Sequence, residues 1–233
     1  MVNRKLAGLV LVLLGMLVSQ VGRASEGNEE LLVFVGKFLD IKELPDQCPP
    51  TQPVEGAGGR VDGERELGAV CIQFDALYEA RYEVIDGLVG SRFPRELTFR
   101  VADHYGFPAF AEYRYALLYV QLGSEEAWLE KYQGYPVHRT VGGSWAACGN
   151  PFPTPDDTAP ASLRSIDFVD DLGMVGEFST AGLERRFIDA RYLSIVNGRI
   201  RCRMGVTIED LYEAVRTGVM AAREIILPKL RWP

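Results

Sequence analysis

Three apolar segments, separated by glycine, proline and aspartate, constrain the fold of this chain more than any other feature. They are residues 82–85, 96–101 and 113–120. In the second segment apolar residues occupy every other position, which is the period of a strand with one buried face. Within the third segment, residues 115–120 are almost wholly apolar, as expected of a strand covered on both faces. Together the segments predict a β-rich core.

Further strands are predicted on both sides of this core. Residues 31–38 form a strongly apolar first strand, and we expect residues 81–85 to pair with it. Residues 135–141 and 144–148 fit two strands joined by a Gly-Gly turn. The expected fold is mainly β (a β-rich α+β class), a small, partly open barrel followed by a mixed segment that ends in a helix.

The domain boundary is expected at residues 150–160, which are rich in Pro, Asp and Thr. Residues 25–149 would form the barrel, and residues 161–233 a mixed α/β segment packed on it. The Asn197-Gly198 pair predicts a hairpin turn, and Thr207 and Asp210 resemble a capping box that opens a helix. Four apolar residues at helical spacing belong to that helix: Ile208, Leu211, Tyr212 and Val215.

The first 24 residues have the pattern of a secretory signal peptide. Arg4 and Lys5 precede an uncharged apolar run, and Gly22 and Ala24 provide small residues at positions −3 and −1 of a cleavage site. A retained membrane anchor is the alternative, because the uncharged run is nearly long enough to span a bilayer. We predict export to the periplasm or the exterior, with cleavage near Ala24 and no stable membrane insertion afterwards.

The charge of the chain argues against some partners. It carries 25 basic and 32 acidic residues, a net charge of −7. Without residues 1–24 the balance is 22 basic to 32 acidic residues, a net charge of −10. Such an acidic protein is a poor match for nucleic acid or anionic lipid, so no nucleic-acid partner is expected.

The four cysteines predict disulfides. Cys48, Cys71, Cys148 and Cys202 do not form a CxxC pair, which argues against a zinc knuckle and a thioredoxin-type redox site. An even number of cysteines in an exported chain indicates two disulfides with three possible pairings. We prefer Cys48–Cys71 with Cys148–Cys202, although nothing in the sequence excludes the other two pairings.

Three strand motifs resemble the netrin-like OB barrels, the group that includes the inhibitory domain of tissue inhibitors of metalloproteinases. They are the Val-Phe-Val-Gly-Lys of residues 33–37, residues 82–90, and the apolar residues 113–120. The resemblance covers residues 31–148 and implies an OB-like barrel. The inhibitors bind a protease's metal through an N-terminal cysteine, whereas the expected mature terminus here is Ser25 and the first cysteine is Cys48. The resemblance therefore implies the fold and not the inhibitory chemistry.

Candidate site residues cluster around the two histidines. Asp103, His104 and Tyr105 lie where a core strand enters a loop, a common position for functional side chains. A small hydrolase or metalloenzyme would need Asp103, His104 and His138 to converge. The alternative is that His104 fixes its loop through a hydrogen bond, in which case His104→Gln would cost about 1 kcal/mol. We expect His104 to be non-catalytic, with no bound metal or cofactor.

Trp145 and other aromatic residues provide a second kind of candidate. Residues 142–146 differ from a G-x-S-x-G nucleophile motif at one position. The sequence also has no histidine after His138 to complete a hydrolase triad. The paired aspartates near 156 and 170 lack the spacing of a calcium loop. Strand and loop aromatics could instead line a binding face: Tyr105, Phe107, Phe110, Tyr113, Tyr115, Tyr132, Tyr135 and Trp145.

Two functional classes remain open at this point. The first is a non-enzymatic exported protein that binds a protein or glycan, with His104, Tyr105, His138 and Trp145 as candidate contacts. The second is the hydrolase or metalloenzyme built on Asp103, His104 and His138. We prefer the first class, because the sequence contains no complete catalytic triad.

Overall fold

A computed structural model describes residues 30–45, 74–152, 162–169, 191–196 and 199–232. The predicted signal peptide, Cys48, Cys71, most of the predicted boundary segment and the turn at residues 197–198 lie outside these ranges. Five strands form a barrel in the order β1-β2-β3-β5-β4. They are β1 (Glu30–Glu43), β2 (Ala76–Val89), β3 (Glu96–Asp103), β4 (Tyr115–Leu122) and β5 (Ala127–Pro136).

The barrel is closed. Its neighbouring strands are antiparallel except for β3 and β5, which pair in parallel through Arg100 and Trp128. The Arg100 guanidinium also donates a 2.6 Å hydrogen bond to Glu126, just before β5. The predicted mainly β fold is confirmed, and the closed five-strand barrel is compatible with an OB-like fold. The predicted opening is absent from this barrel, because the β3–β5 contact joins its two edges.

Strands β1 and β4 are buried on both faces. Alternating side chains fill the barrel interior, among them Leu32, Phe34, Leu118 and Val120. The side chains between them face outward into a second core with the C-terminal part of the chain: Val33, Val35, Leu117 and Tyr119. This arrangement confirms the expectation that residues 115–120 are covered on both sides, and it explains why that segment has no polar face.

A second sheet combines strands from both sides of the predicted boundary. Its order is β6-β7-β11-β8, with β6 (His138–Arg139), β7 (Trp145–Cys148), β8 (Arg164–Ser165) and β11 (Met204–Thr207). Residues 167–169 lie beside β6 and the residues that follow it. The Val141 N–H donates to Asp167 O, and the Val169 N–H donates to Arg139 O. The segments before and after residues 150–160 therefore share one sheet.

A separate two-stranded sheet is linked to the second sheet by a disulfide. Strands β9 (Leu193–Val196) and β10 (Arg199–Cys202) are antiparallel, which agrees with the strand pairing expected around residues 197–198. Cys148 at the end of β7 is bonded to Cys202 at the end of β10, with 5.8 Å between their Cα atoms. The predicted Cys148–Cys202 disulfide is thus present, whereas the Cys48–Cys71 prediction falls outside the described residues.

The C-terminal helix α1 (Ile208–Val215) begins where the sequence predicts it. Thr207 is the N-cap, and its hydroxyl accepts a hydrogen bond from the Asp210 N–H. The four residues at helical spacing are all buried in the core against β1 and β4. The helix continues as a π-helical turn at Arg216–Met220. No helix within the described ranges has the length and apolar character needed to cross a membrane.

Gly205 is required by the close approach of β11 and β7. A Cβ atom at this position would overlap the carbonyl oxygen of Ala147 and lie 3.1 Å from the Phe168 ring. We expect Gly205→Ala to lower the free energy of unfolding by about 2–3 kcal/mol, because the backbone of β7 cannot move aside cheaply. Urea denaturation measures the effect.

Gly218→Ala is the matched control for that substitution. A Cβ at Gly218 meets no atom of the described residues within 4 Å, and alanine is favoured over glycine in a helical turn by about 0.5–1 kcal/mol. We therefore expect this variant to be neutral or more stable. Equal destabilisation of the two variants would contradict the proposed steric role of Gly205.

Candidate ligand-binding surface

Exposed aromatic side chains gather at the end of the barrel where β2 begins and β3 ends. We call this set the aromatic ridge: Phe74, His104, Tyr105, Phe107 and Tyr132. Tyr105 is 87% exposed and Phe74 is 71% exposed, and Phe107 and Tyr132 are also exposed. Burial of large aromatic side chains is strongly favourable. Their concentration at one exposed place therefore marks this surface as a candidate binding site.

Three rings of the ridge, those of His104, Tyr105 and Tyr132, are joined by direct ring contacts. Tyr105 is central, with its ring centroid 5.5 Å from that of His104 and 5.8 Å from that of Tyr132. Phe107 rests on the buried Tyr78 with 5.9 Å between centroids. Since neighbouring rings restrict each other's rotamers, His104, Tyr105 and Tyr132 support one another, and Phe107 is supported by Tyr78.

An aspartate lies beside His104 and is itself bound to a lysine. Its Nδ1 donates to the carbonyl oxygen of Phe74 at 2.5 Å and lies 3.7 Å from Asp75 Oδ1. Lys131 Nζ donates to Asp75 Oδ2 at 2.6 Å, and this hydrogen bond raises the pKa of Lys131. The carboxylate next to His104 is therefore Asp75. Asp103, its neighbour in sequence, instead accepts a 2.8 Å hydrogen bond from the Tyr105 N–H.

Tyr132 belongs to a bulge in β5. Leu118 pairs with Gly134 and Val120 with Leu129, so residues 130–133 lie opposite the single residue Tyr119 of β4. We call residues 130–133 the β5 bulge. Within it Tyr132 has a φ of 64°, in the left-handed region that a bulky side chain seldom adopts. The bulge turns Tyr132 toward Tyr105, and it brings Lys131 to Asp75.

His138 and Trp145 lie elsewhere, in the second sheet. His138 is 7% exposed between the rings of Tyr113 and Phe168, and burial lowers its pKa to about 4. Trp145 is 2% exposed, and the Arg139 guanidinium stacks 3.9 Å from its ring centre. The contacts of His138 are thus distinct from those of His104. The described ranges contain no group of three His, Cys, Asp or Glu side chains able to hold a metal.

Trp145 also lines a groove next to the C-terminus. The groove encloses about 490 Å³ and is bordered by Asp86, Glu209 and Trp232 and by the turn at residues 142–144. The Nε1 atom of Trp145 is buried and has no hydrogen-bond partner among the described residues. Because Trp145 is almost fully covered, its surroundings are those of a core residue more than of a contact surface.

Sequence reasoning identified part of the ridge and missed the rest. His104, Tyr105, Phe107 and Tyr132 were among the candidates, whereas Phe74, Asp75 and Lys131 were not. Phe74 and Asp75 have no local pattern that marks them, and Lys131 resembles any exposed lysine of a strand. No protein-family model, curated protein or solved structure matches this chain, so the netrin-like resemblance depends on its short motifs alone.

Proposed function

We propose that this chain is an exported, non-enzymatic binding protein that recognises a glycan through the aromatic ridge. The observation that carries the proposal is the exposure of mutually supported rings around Tyr105. An aromatic face carries partial negative charge, which attracts the positively polarised C–H groups on the flat side of a sugar ring. The exposed rings of the ridge provide aromatic faces for such stacking.

The polar groups beside the ridge favour the same ligand. Carboxylates of Asp75 and Asp103 and the ammonium of Lys131 lie within or next to it, and they suit the hydroxyl groups of a sugar. Asp75 and Lys131 are already bound to each other. A ligand without net charge would leave this pair intact, whereas a strongly charged partner would have to compete with it. An uncharged glycan is therefore preferred over a polyanion or a basic peptide.

A protein partner and an enzymatic function are less well supported. A stable protein interface buries roughly 800 Å² on each side, which is more than the five side chains of the ridge supply without further contacts. The metalloenzyme hypothesis required Asp103, His104 and His138 to act together. His138 is buried between Tyr113 and Phe168, whereas His104 bonds to Phe74 and lies beside Asp75. The two histidines thus have different neighbours among the described residues, and the binding function is the better proposal.

Binding to an array of oligosaccharides tests the proposal. The array should include cellohexaose, chitohexaose, xylohexaose and acidic oligosaccharides, followed by calorimetry of the sugars that bind. We expect Tyr105→Ala to weaken binding by about tenfold, because an aromatic contact is worth about 1.4 kcal/mol at the upper end of its range.

Ile226→Ala is the matched control for Tyr105→Ala. Ile226 is 95% exposed and lies outside the ridge, in the C-terminal segment, so its removal should leave sugar affinity unchanged. Failure of the wild-type protein to bind any sugar on the array would overturn the glycan proposal. Equal losses in both variants would show that the ridge is not the contact surface.

Export is the second part of the proposed function. The Cys148–Cys202 disulfide fits an oxidising compartment, and the small residues at Gly22 and Ala24 fit a signal-peptidase site. We expect the mature protein to begin at Ser25. N-terminal sequencing of the exported protein measures this directly, and a retained Met1 would contradict it.

A further inference from the structure

The left-handed backbone at Tyr132 needs an explanation. A φ of 64° is unfavourable for a tyrosine, and a flip of the peptide between Lys131 and Tyr132 would let the residue return to an ordinary conformation. Something must therefore hold that peptide. The relevant contacts are those of its carbonyl group, which belongs to Lys131.

Two side chains hold the carbonyl oxygen of Lys131. Arg223 Nη2 donates to it at 2.9 Å, and Gln133 Nε2 donates to it at 3.1 Å. Gln133 is only 4% exposed, and its Oε1 accepts a 2.6 Å hydrogen bond from the Tyr135 hydroxyl. The Arg223 guanidinium also contacts the Glu130 carboxylate at 3.3 Å. Arg223 thus binds the β5 bulge at two points, across 92 residues of sequence.

The backbone of Arg223 is itself well placed for this role. It follows the π-helical turn, and its N–H donates to the carbonyl oxygens of Val219 and Met220. Glu224, the next residue, has a φ of 62° and ends the helix. The Ile225 N–H then donates a 2.9 Å hydrogen bond to Met220 O. Met220 is fully buried. The end of the helix is therefore anchored in the core, and Arg223 projects from it to β5.

We propose that Arg223 is a positioning residue for the ligand-binding surface. Arg223 holds the Lys131 carbonyl together with Gln133, and its contact is the one needed to keep Tyr132 left-handed, with its ring against Tyr105 and with Lys131 at Asp75. The C-terminal helix would thereby set the geometry of a ridge to which it contributes no ring. The consequence for ligand affinity rests on the proposed glycan function, whereas the consequence for the backbone of Tyr132 does not.

The guanidinium group is specifically suited to this contact. Its planar fork places separate N–H donors on the Lys131 carbonyl and the Glu130 carboxylate. A lysine at position 223 has one ammonium group on a flexible chain and cannot reproduce that fixed pair. We therefore expect Arg223→Lys to keep part of the effect and Arg223→Gln to lose it.

Backbone chemical shifts of Tyr132 provide a test that needs no ligand. The ¹³Cα and ¹³Cβ shifts of a residue depend on its φ and ψ, so we expect the wild-type values of Tyr132 to be lost in Arg223→Gln. Arg216→Gln is the matched control, because Arg216 binds Glu213 within its own helical segment at 2.6–2.8 Å. Unchanged Tyr132 shifts in Arg223→Gln, or an equal change in Arg216→Gln, would overturn the proposal.

Affinity for cellohexaose or chitohexaose, whichever binds the wild type, tests the functional consequence. We expect Arg223→Gln and Tyr132→Ala each to weaken binding by about tenfold, and the double variant by no more than either alone, since both remove the same ring contact. A hundredfold loss in the double variant would overturn the positioning role. If the wild type binds no oligosaccharide, the glycan function fails, and the chemical shifts alone decide the role of Arg223.

Arg223→Lys provides a second test in case Arg223→Gln does not fold. If Arg223→Gln is unfolded, intermediate Tyr132 shifts in the folded lysine variant support the proposal. Wild-type shifts in that variant would overturn the proposal, because lysine cannot make the two-point contact.

Discussion

Replacing Cys148 and Cys202 together by alanine should lower the free energy of unfolding by about 4 kcal/mol. The two residues are separated by 54 positions, and a cross-link that closes a loop of this length removes a correspondingly large chain entropy from the unfolded state. The disulfide also joins the end of β7 to the end of β10. Strand β11 and helix α1 follow β10 directly in the chain. Urea denaturation under oxidising conditions measures the loss.

Single substitutions provide the control for this prediction. Cys148→Ala and Cys202→Ala each remove the same disulfide, so each should cost about as much as the double variant. Strictly additive single effects would contradict the prediction, as would a double variant within about 1 kcal/mol of the wild type. In the oxidised wild-type protein, mass measurement after alkylation should find neither Cys148 nor Cys202 labelled.

Acidification from pH 7 to pH 4 should destabilise the protein by about 3 kcal/mol through His138 alone. Burial lowers the pKa of His138 to about 4, whereas an exposed histidine has a pKa near 6.5. Between these two values the unfolded chain takes up a proton that the folded protein does not. The free energy of unfolding therefore falls as the pH falls through this window, and it stops falling from this cause below about pH 4.

Substitution of each histidine separates this effect from other titrations. His138→Leu should remove the slope between pH 6.5 and 4, and it should be well tolerated at pH 7 because the buried Nε2 has no partner among the described residues. His104→Gln should lose about one hydrogen bond, roughly 1 kcal/mol, and retain the slope. Stability curves from urea denaturation at several pH values measure both. An unchanged slope in His138→Leu would contradict the assignment.

Local patterns in the sequence were sufficient to determine much of the fold. The unbroken apolar segment at residues 115–120 indicates a strand covered on both sides, and β4 has that environment. The spacing of Ile208, Leu211, Tyr212 and Val215 indicates one buried helical face, and Thr207 marks its start. These features depend on periodicity and capping. Because both act over a few residues, the sequence alone predicts them.

Closure of the barrel and the shared second sheet could be recognised only in the tertiary structure. The parallel β3–β5 contact depends on one residue pair, Arg100 and Trp128, and no alternation of polar and apolar residues specifies it. Strands β7 and β11 are far apart in sequence, and the Pro-rich segment between them suggested a boundary instead. Pairing between distant strands is determined by the fit of whole surfaces, which local composition does not encode.

The aromatic ridge shows most clearly the difference between what the local sequence predicts and what the tertiary structure decides. The sequence by itself marked His104 and Tyr105 as loop residues at a strand end, a position typical of functional side chains. Only the tertiary structure placed Asp75 and Lys131 beside them, because these residues come from the segment before β2 and from the β5 bulge. The conformation of Tyr132 is likewise non-local, since Arg223, 91 positions later, holds the carbonyl that precedes it. Local propensity disfavours a left-handed tyrosine, so the sequence around Tyr132 does not predict its conformation.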